Sequence, residues 1–361
     1  LRQELLAKGI PLAGTTDTEA LTWVLALTPG PDLATRIRRA MTRFLGAYSL
    51  AILTPGALAA VRDPLGIRPL CLGRLGAGWV VASETCALAT IGATFEREVE
   101  PGEIVVIDAA GLHNYPAPVL AEQQATCIFE FIYFARPDSQ IMDRRLHIVR
   151  QRMGMELWRE HPADADVVVP LPDSAVPAAI GYSRASGIPY AEALIKNRYI
   201  GRTFIQPDQR LREQGVKLKF NALPEVLEGK RVVLVDDTIV RGTTSRPIVE
   251  LLRQNGAKEV HIRVASPMIF HPDFYGIDTP DRDKLLANQY AGDEAMAKYI
   301  GADSLAFLSI DGLYTAVGGA PRDPANPQFT DHYFTGDYPT RLVDKESEKP
   351  GRKESMLAAN G

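Results

Sequence analysis

The chain has 361 residues, 46% of them hydrophobic, and a formal net charge of −4, enough for two domains with cores of ordinary density. So nearly balanced a charge excludes global attraction to nucleic acid or an anionic membrane, and any phosphate-binding surface must be local. Three scattered cysteines, Cys71, Cys86 and Cys127, are too few for a disulfide framework and fit a reduced, cytoplasmic setting. The apolar stretch around Gly46 to Val61 is broken by Pro55 and Gly56 and falls short of the roughly 20 residues of a spanning helix. No basic-then-apolar signal sequence opens the chain, whose first residue is Leu1 rather than Met.

In chain order, Leu1 to Gly9 reads as the end of a helix with Leu1, Leu5 and Leu6 on one face and Gly9 as its stop. Asp17-Thr18-Glu19 opens a second helix through Leu27, with acids at its positive end. A third runs from about Ala34 to Phe44. Strand patterns follow at Ala47 to Leu53, Leu58 to Arg62, Gly78 to Ser83 and Glu103 to Ile107. This first part reads as helices packed on a largely antiparallel sheet, with Cys71 and Cys86 as buried structural residues in strands. The polar stretch Pro116 to Ala125 is a domain boundary candidate. Beyond it strands and helices alternate: strand Asp166 to Pro170, loop Leu171 to Pro177, helix Ala178 to Ser186; strand Arg231 to Val235, loop, helix Pro247 to Asn255; strand Val260 to Ala265. That rhythm predicts a parallel sheet with binding loops at the carboxyl ends of its strands. From Pro321 the chain is polar and rich in proline and glycine, and Lys345 to Gly361 reads as disordered.

The sharpest segment is Arg231-Val-Val-Leu-Val-Asp-Asp-Thr-Ile-Val-Arg-Gly-Thr-Thr-Ser245. Four apolar residues deliver two carboxylates, Asp236 and Asp237, to a strand end, and a loop of hydroxyls with Gly242 leads into a helix with Pro247 in its first turn. A lone Asp pair there is more often a turn cap. The whole string suits a ribose 5-phosphate: carboxylates accept the ribose hydroxyls, while backbone N–H groups and hydroxyls of Thr238, Ile239, Val240, Arg241, Gly242, Thr243 and Thr244 surround the phosphate at a helix N-terminus. Gly242 lets the backbone approach it closely. No Gly-Lys-Ser/Thr is present, so this is not a Walker loop. Phosphoribosylpyrophosphate (PRPP) is the expected ligand. Pro172-Asp-Ser-Ala-Val-Pro177, an ordinary turn by itself, is placed to meet the diphosphate with Ser174 and backbone N–H groups. Lys196-Asn-Arg-Tyr-Ile-Gly-Arg-Thr-Phe204, with Arg198, Tyr199 and Arg202, leads to Arg210, Arg212, Lys217 and Lys219. This stretch reads either as a solvated basic surface or as a lid that excludes water from a highly charged substrate.

With those strings in place the chain resembles the glutamine phosphoribosylpyrophosphate amidotransferase family from Leu1 to about Pro339. The resemblance rests on Cys127-Ile-Phe-Glu-Phe-Ile-Tyr-Phe-Ala-Arg-Pro-Asp-Ser139, Lys196 to Gln206, Val232 to Ser245 and Phe274-Tyr-Gly-Ile-Asp278. In the first part it rests on Thr16-Asp-Thr-Glu19, Arg62-Asp-Pro-Leu-Gly-Ile-Arg-Pro-Leu70 and Ala82-Ser-Glu84. It implies a combined α/β and α+β fold: part of an Ntn-type (class II) glutaminase domain over 1–120, a type I phosphoribosyltransferase domain over 121–320 and a C-terminal extension over 321–361. It implies the first committed step of purine biosynthesis, in which ammonia released from glutamine travels through an internal channel and displaces pyrophosphate from C1 of PRPP. By position, Ser174, Asp236 and Asp237 would hold Mg²⁺ with PRPP, Thr238 to Thr244 would cradle the 5-phosphate, Lys196 to Phe204 would open the closing loop, and Asp17 would bind the α-amino group of glutamine. A cytoplasmic homotetramer inhibited by purine nucleotides, with no nucleic acid or membrane partner, completes the expectation.

Two departures limit it. The family's nucleophilic cysteine is its first residue and aligns upstream of Leu1, so a truncated chain is expected to use ammonia and not to hydrolyse glutamine. Some members hold a [4Fe–4S] cluster on four cysteines; here Cys127 matches one, and Asp273, Thr330 and Tyr333 stand at the others. A cluster needs thiolates, so none is expected, and Asp273, Asp331 and His332 fit no standard zinc spacing. Two further readings compete: transfer to a purine or pyrimidine base in salvage, which needs a base-stacking pocket, and a protein that senses PRPP or nucleotides without turnover.

Overall fold

The computed structural model describes residues 1–342 apart from 117, 119, 120, 122, 198 and 200–218. In the first part, α1 (Arg2–Ala7) buries only Leu5, and Leu1 and Leu6 are exposed, so the expected three-leucine face is reduced to one residue. α2 (Asp17–Leu27) occupies the predicted span. Glu19 in its first turn accepts the N–H groups of Ala13 and Gly14 at 2.7 and 2.9 Å, which lower its pKa. α3 (Leu33–Met41) starts on an Asp32 cap that accepts the Thr35 N–H at 2.7 Å, and it stops short of Phe44.

These helices accompany two antiparallel sheets rather than one. β1 (Ser49–Leu53), β2 (Ala57–Arg62), β6 (Ile104–Asp108) and β7 (Gly111–Tyr115) form one sheet in that order. The other has β4 (Gly78–Ala82) and β5 (Thr94–Glu98) on either side of β3 (Cys71–Leu75). Cys71 lies on β3, but Cys86 lies in the short helix α4 (Thr85–Thr90), not in a strand. Both, with Cys127, are buried and free. Burial pushes the Cys71 thiol up to about 12 and Cys127 to about 11.

The second part is joined to the first by Ala125 and Cys127, whose N–H groups donate to Leu65 and Ile67 carbonyls at 2.8 and 2.9 Å. β8 (Thr126–Cys127) leads into a wide π-helical turn, Glu130–Phe134. A small hairpin, β9 (Gln140–Ile141) with β10 (Arg144–Arg145), then precedes α5 (Leu146–Glu160). The central sheet is parallel throughout: β11 (Val167–Pro170), β14 (Arg231–Asp236), β15 (Glu259–Val264) and β16 (Ser304–Phe307), in that order. The fourth strand, β16, was not foreseen from the sequence.

Alternation explains why β14 reads as an unbroken apolar run. Val233 and Val235 enter the core beneath α5 and α6 (Val176–Ser186), while Val232 and Leu234 enter the core under the helix Ser245–Gln254. α6 and Ser245–Gln254 each begin two residues before their predicted starts. β12 (Leu194–Lys196) pairs antiparallel with β13 (Phe220–Ala222) beside the sheet. Far along the chain, β17 (Phe329–Thr330) returns to pair in parallel with β8, and Phe329, Tyr333 and Phe334 join the core around Phe131. The segment Lys345 to Gly361 lies outside the described residues.

Candidate active site

The carboxyl ends of the parallel strands open into a cavity of 1120 Å³. It is lined by residues 172–174 and 236–245, by Lys196 on β12 and Lys219 just before β13, and by Tyr133, Phe134 and 277–280. β14 ends at Asp236, so the sheet itself delivers the acidic pair, and both carboxylates are buried. Asp236 Oδ1 accepts the Asp237 N–H at 2.8 Å, and the Thr238 hydroxyl donates to Asp237 Oδ1 at 2.9 Å. The Ser174 hydroxyl bonds the Asp237 carboxylate from the neighbouring β11 loop.

Burial first, and repulsion from Asp237 second, push the Asp236 carboxyl well above the usual range. Burial raises Asp237 too, against the opposing pull of Ser174 and Thr238. Arg150, on α5, is a cation that favours an ionised Asp237. Its guanidinium is nevertheless committed elsewhere: Nε donates to Phe131 O at 2.9 Å, and Nη2 to Ala135 O at 2.6 Å and Glu130 O at 3.3 Å. Two buried carboxylates and a serine hydroxyl, with no cation among the described residues devoted to them, are oxygen donors of the kind that suit Mg²⁺.

The loop after the acids has the properties of an anion cradle. Arg241, Gly242, Thr243 and Thr244 donate no backbone N–H to a described backbone acceptor, and they lead into the helix Ser245–Gln254. Gly242 adopts φ +70°, where a side chain is strained, and Leu286 and Tyr299 crowd the place its Cβ would take. The Leu286 N–H donates to Val240 O at 2.9 Å and ties the loop to the neighbouring helix Leu286–Gln289.

The sequence-derived residues thus gather unevenly. Ser174, Asp236 to Thr244 and Lys196 share the cavity, with Lys196 bonded to the Asp173 carboxylate. Tyr199 is 99% exposed, while Arg198, Arg202, Arg210, Arg212 and Lys217 lie outside the described residues. Asp17 is exposed in the first turn of α2, away from the cavity lining.

The positions aligned with an iron–sulfur site do converge. Thr330 pairs with Cys127, Tyr333 Oη lies 3.3 Å from Cys127 Sγ, and Asp273 Oδ1 lies 3.0 Å from Nε2 of His332. One buried thiol with an aspartate, a threonine and a tyrosine does not fit a group that takes thiolates. Asp331 points elsewhere, to Arg322 and Tyr314, and no metal-holding group of His, Cys, Asp or Glu occurs among the described residues. Sequence reasoning did not single out Arg150, Arg68, Tyr133, Phe134 or Thr279, each of which lines the cavity or touches its wall.

Comparison with known proteins places these features in context. A glutamine amidotransferase domain matches residues 1–90 and a phosphoribosyl transferase domain matches residues 150–266. An amidophosphoribosyltransferase of Rhizobium etli is 56% identical over 100% of this chain and 74% of its own length. The Homo sapiens enzyme of that name is 47% identical over 88% of this chain and 66% of its own. A solved structure of glutamine PRPP amidotransferase from B. subtilis, complexed with ADP and GMP, superposes with a TM-score of 0.87 at 46% identity, covering 94% of this chain and 74% of that one. A second, described as the allosteric regulatory enzyme of purine biosynthesis, gives 0.87 at 45% identity, covering 94% and 73%. Among the described residues no helix is long and apolar enough to cross a membrane.

Proposed function

The chain belongs to the amidophosphoribosyltransferase family, and from that premise we propose that its cavity binds PRPP through Asp236, Asp237 and the 238–244 loop and transfers the phosphoribosyl group to ammonia. The protein is a glycosyltransferase of the first step of purine biosynthesis. The observation that carries the site assignment is the buried acidic pair at the end of β14, followed by a donor-rich loop at a helix N-terminus.

In this reading the two carboxylates accept the ribose hydroxyls, and the loop N–H groups and threonine hydroxyls hold the 5-phosphate. Ser174 and the backbone of 172–174 face the diphosphate, with Lys196 beside them on Asp173. Asp236, Asp237 and Ser174 are the residues that would hold Mg²⁺, which when bound neutralises charge on the departing diphosphate. Positive charge develops on the ribose ring as the C1–O bond lengthens, and carboxylate charge on the acidic pair favours that state. Ammonia attacks C1, and pyrophosphate leaves with the bonding electrons. The residues contribute position and electrostatics, with no protein nucleophile. None of Cys71, Cys86 and Cys127 is placed to act as one, since all are buried with raised thiols.

The same proposal takes 1–120 and 121–320 as the two domains, Arg198 and Arg202 as part of a closing loop, and Asp17 as a partner for the ammonium group of glutamine. It takes a homotetramer as the assembly and purine nucleotides as inhibitors, as the B. subtilis complex with ADP and GMP suggests. The test is pyrophosphate release from PRPP and Mg²⁺ with ammonium as the nucleophile, in the native chain and in Asp236→Asn/Asp237→Asn. Release by the native chain and its loss in the double variant are expected, with circular dichroism unchanged. Release only with a free purine base would replace this reading with salvage, PRPP binding without release would replace it with sensing, and full activity in the double variant would remove the site.

A further inference from the structure

Arg68 sits in the loop between β2 and β3, far in sequence from the acidic pair. Its guanidinium nevertheless joins two segments that each contribute residues to the cavity lining. Nε and Nη2 donate to Tyr275 O at 3.2 and 3.1 Å, and Nη2 lies 3.8 Å from Asp273 Oδ2. Nη1 donates to Glu130 Oε1 at 2.9 Å, and the group lies 5.1 Å from the Phe134 ring centroid. The first pair of contacts belongs to the loop that continues into 277–280, and the second to the π-helical turn carrying Tyr133 and Phe134.

The loop has its own anchor. The Asp273 carboxylate accepts the N–H groups of Tyr275 and Ile277 at 3.0 and 2.5 Å and pairs with His332. Burial works against the Asp273 charge, but the His332 contact, the Ile277 N–H and Arg68 together hold it below the usual carboxylate range. Asp273 and its neighbours stand where family resemblance aligned cluster ligands, so a polar network of protein groups fills a junction whose donors do not fit a cluster. A planar fork that meets a carbonyl, a carboxylate and a ring face at once fixes the distance between the segments bearing them, which a single-point ammonium cannot do.

We propose that Arg68 is a positioning residue for the transferase cavity, setting the separation of the 273–280 loop and the Glu130–Phe134 turn, two segments that help line the cavity assigned to PRPP. This rests on the PRPP assignment made above. Arg68 touches no reacting atom, so its loss acts on substrate affinity through wall geometry, whereas a staple serving stability alone would change only the folded fraction.

The experiment measures ammonium-driven pyrophosphate release in Arg68→Gln, Arg68→Lys and Asp273→Asn, each in the full chain, with thermal unfolding alongside. Displacing a binding wall by a fraction of an ångström is expected to raise the PRPP KM about tenfold in Arg68→Gln. The ammonium KM and kcat per folded molecule should stay within about twofold, and Arg68→Lys should recover only part of the loss. Asp273→Asn keeps an acceptor for the loop N–H groups and removes the charge beside Arg68, so it should fold and shift the PRPP KM in the same direction. An unchanged PRPP KM in the variants that fold, with activity tracking the folded fraction, overturns the proposal. Retained release in Asp236→Asn/Asp237→Asn, run in parallel, would remove the PRPP site itself and this inference with it.

Discussion

Replacing Gly154 with alanine tests the packing on which the site is mounted. Gly154 on α5 and Gly181 on α6 face each other across a crossing with no room for side chains. A Cβ on Gly154 would lie 1.8 Å from Ala178 O, and one on Gly181 would lie 1.8 Å from Gln151 O. Real Cβ atoms essentially never come within 3.0 Å, so the helices must part by at least 1.2 Å, the difference between 3.0 and 1.8 Å. The opposing atom is backbone and cannot swing aside. Gaps of about 0.5–1 Å already forfeit a quarter to a half of each contact's attraction, and the contacts here involve Val149, Met153, Leu157, Ala179 and Tyr182, all buried. A cost of about 4 kcal/mol, offset by about 1 kcal/mol of improved helix propensity, leaves a net loss near 3 kcal/mol. Because α6 starts immediately after the 172–174 loop, the parting also draws Ser174 away from Asp237, and kcat/KM for PRPP should fall even where the variant is folded. Urea unfolding followed by circular dichroism measures the stability term. Gly56→Ala is the control, since its Cβ would meet nothing within 4 Å and should change stability by only about 0.5 kcal/mol. Equal midpoints for Gly154→Ala and Gly56→Ala would refute the close-approach argument.

Two other outcomes follow from single residues. Gly242→Ala forces a side chain into φ +70° and to 3.2 Å from Leu286; about 1–2 kcal/mol of strain is expected, together with a PRPP affinity about tenfold weaker by calorimetry, and unaltered affinity would contradict the phosphate-cradle assignment. Asp63 is buried in the Arg62–Leu70 loop, and desolvation, only partly countered by the N–H groups of Ile67, Tyr48 and Leu65 and by Arg62, pushes it up to about 6 from 3.8. The folded state therefore holds this proton more tightly than the unfolded chain, and the stability it adds below pH 4 is lost as pH rises to 6, by roughly 3 kcal/mol. The native chain should thus fall relative to Asp63→Asn across that window in chemical denaturation at stepped pH, and parallel curves would show the carboxyl to be unperturbed.

The loop 236–244 was legible because it carries its own context: a strand buried on both faces needs an unbroken apolar run, and the acids that end it are followed by hydroxyls, a glycine and a helix start, a combination that an ordinary turn cap does not need. Ser174 stands in a stretch that is an ordinary turn by itself, and only its partner loop and the family resemblance drew it out. Other parts were hidden by physics that acts across the fold. Arg68 meets Tyr275 207 residues away, and no local pattern announces that contact. Arg150 looks like one more charged residue in Leu146–Glu160, yet it is buried because three backbone carbonyls of a π-helical turn receive it. β5, Thr-Phe-Glu-Arg-Glu, has too little apolar alternation to be read as a strand, and its pairing with β3 supplies what its composition lacks. Cys86 was misplaced because an apolar context does not distinguish a short buried helix from a strand.

The acidic pair also sets what the surrounding structure must supply. Burying Asp236 and Asp237 side by side is unfavourable in the free protein, and apolar residues at those positions would make a more stable sheet. The chain tolerates the cost because β14 is held in parallel register by β11 and β15 on either side, and because Ser174, Thr238 and the Asp237 N–H satisfy part of what water would have supplied. Arg150 lies close enough to favour charge on Asp237, but its backbone contacts keep it from forming an ion pair that would neutralise the site in advance. A divalent cation brought in with the anionic diphosphate would therefore meet carboxylate oxygens that no described cation pairs with, and its charge would favour the ionised form that burial disfavours.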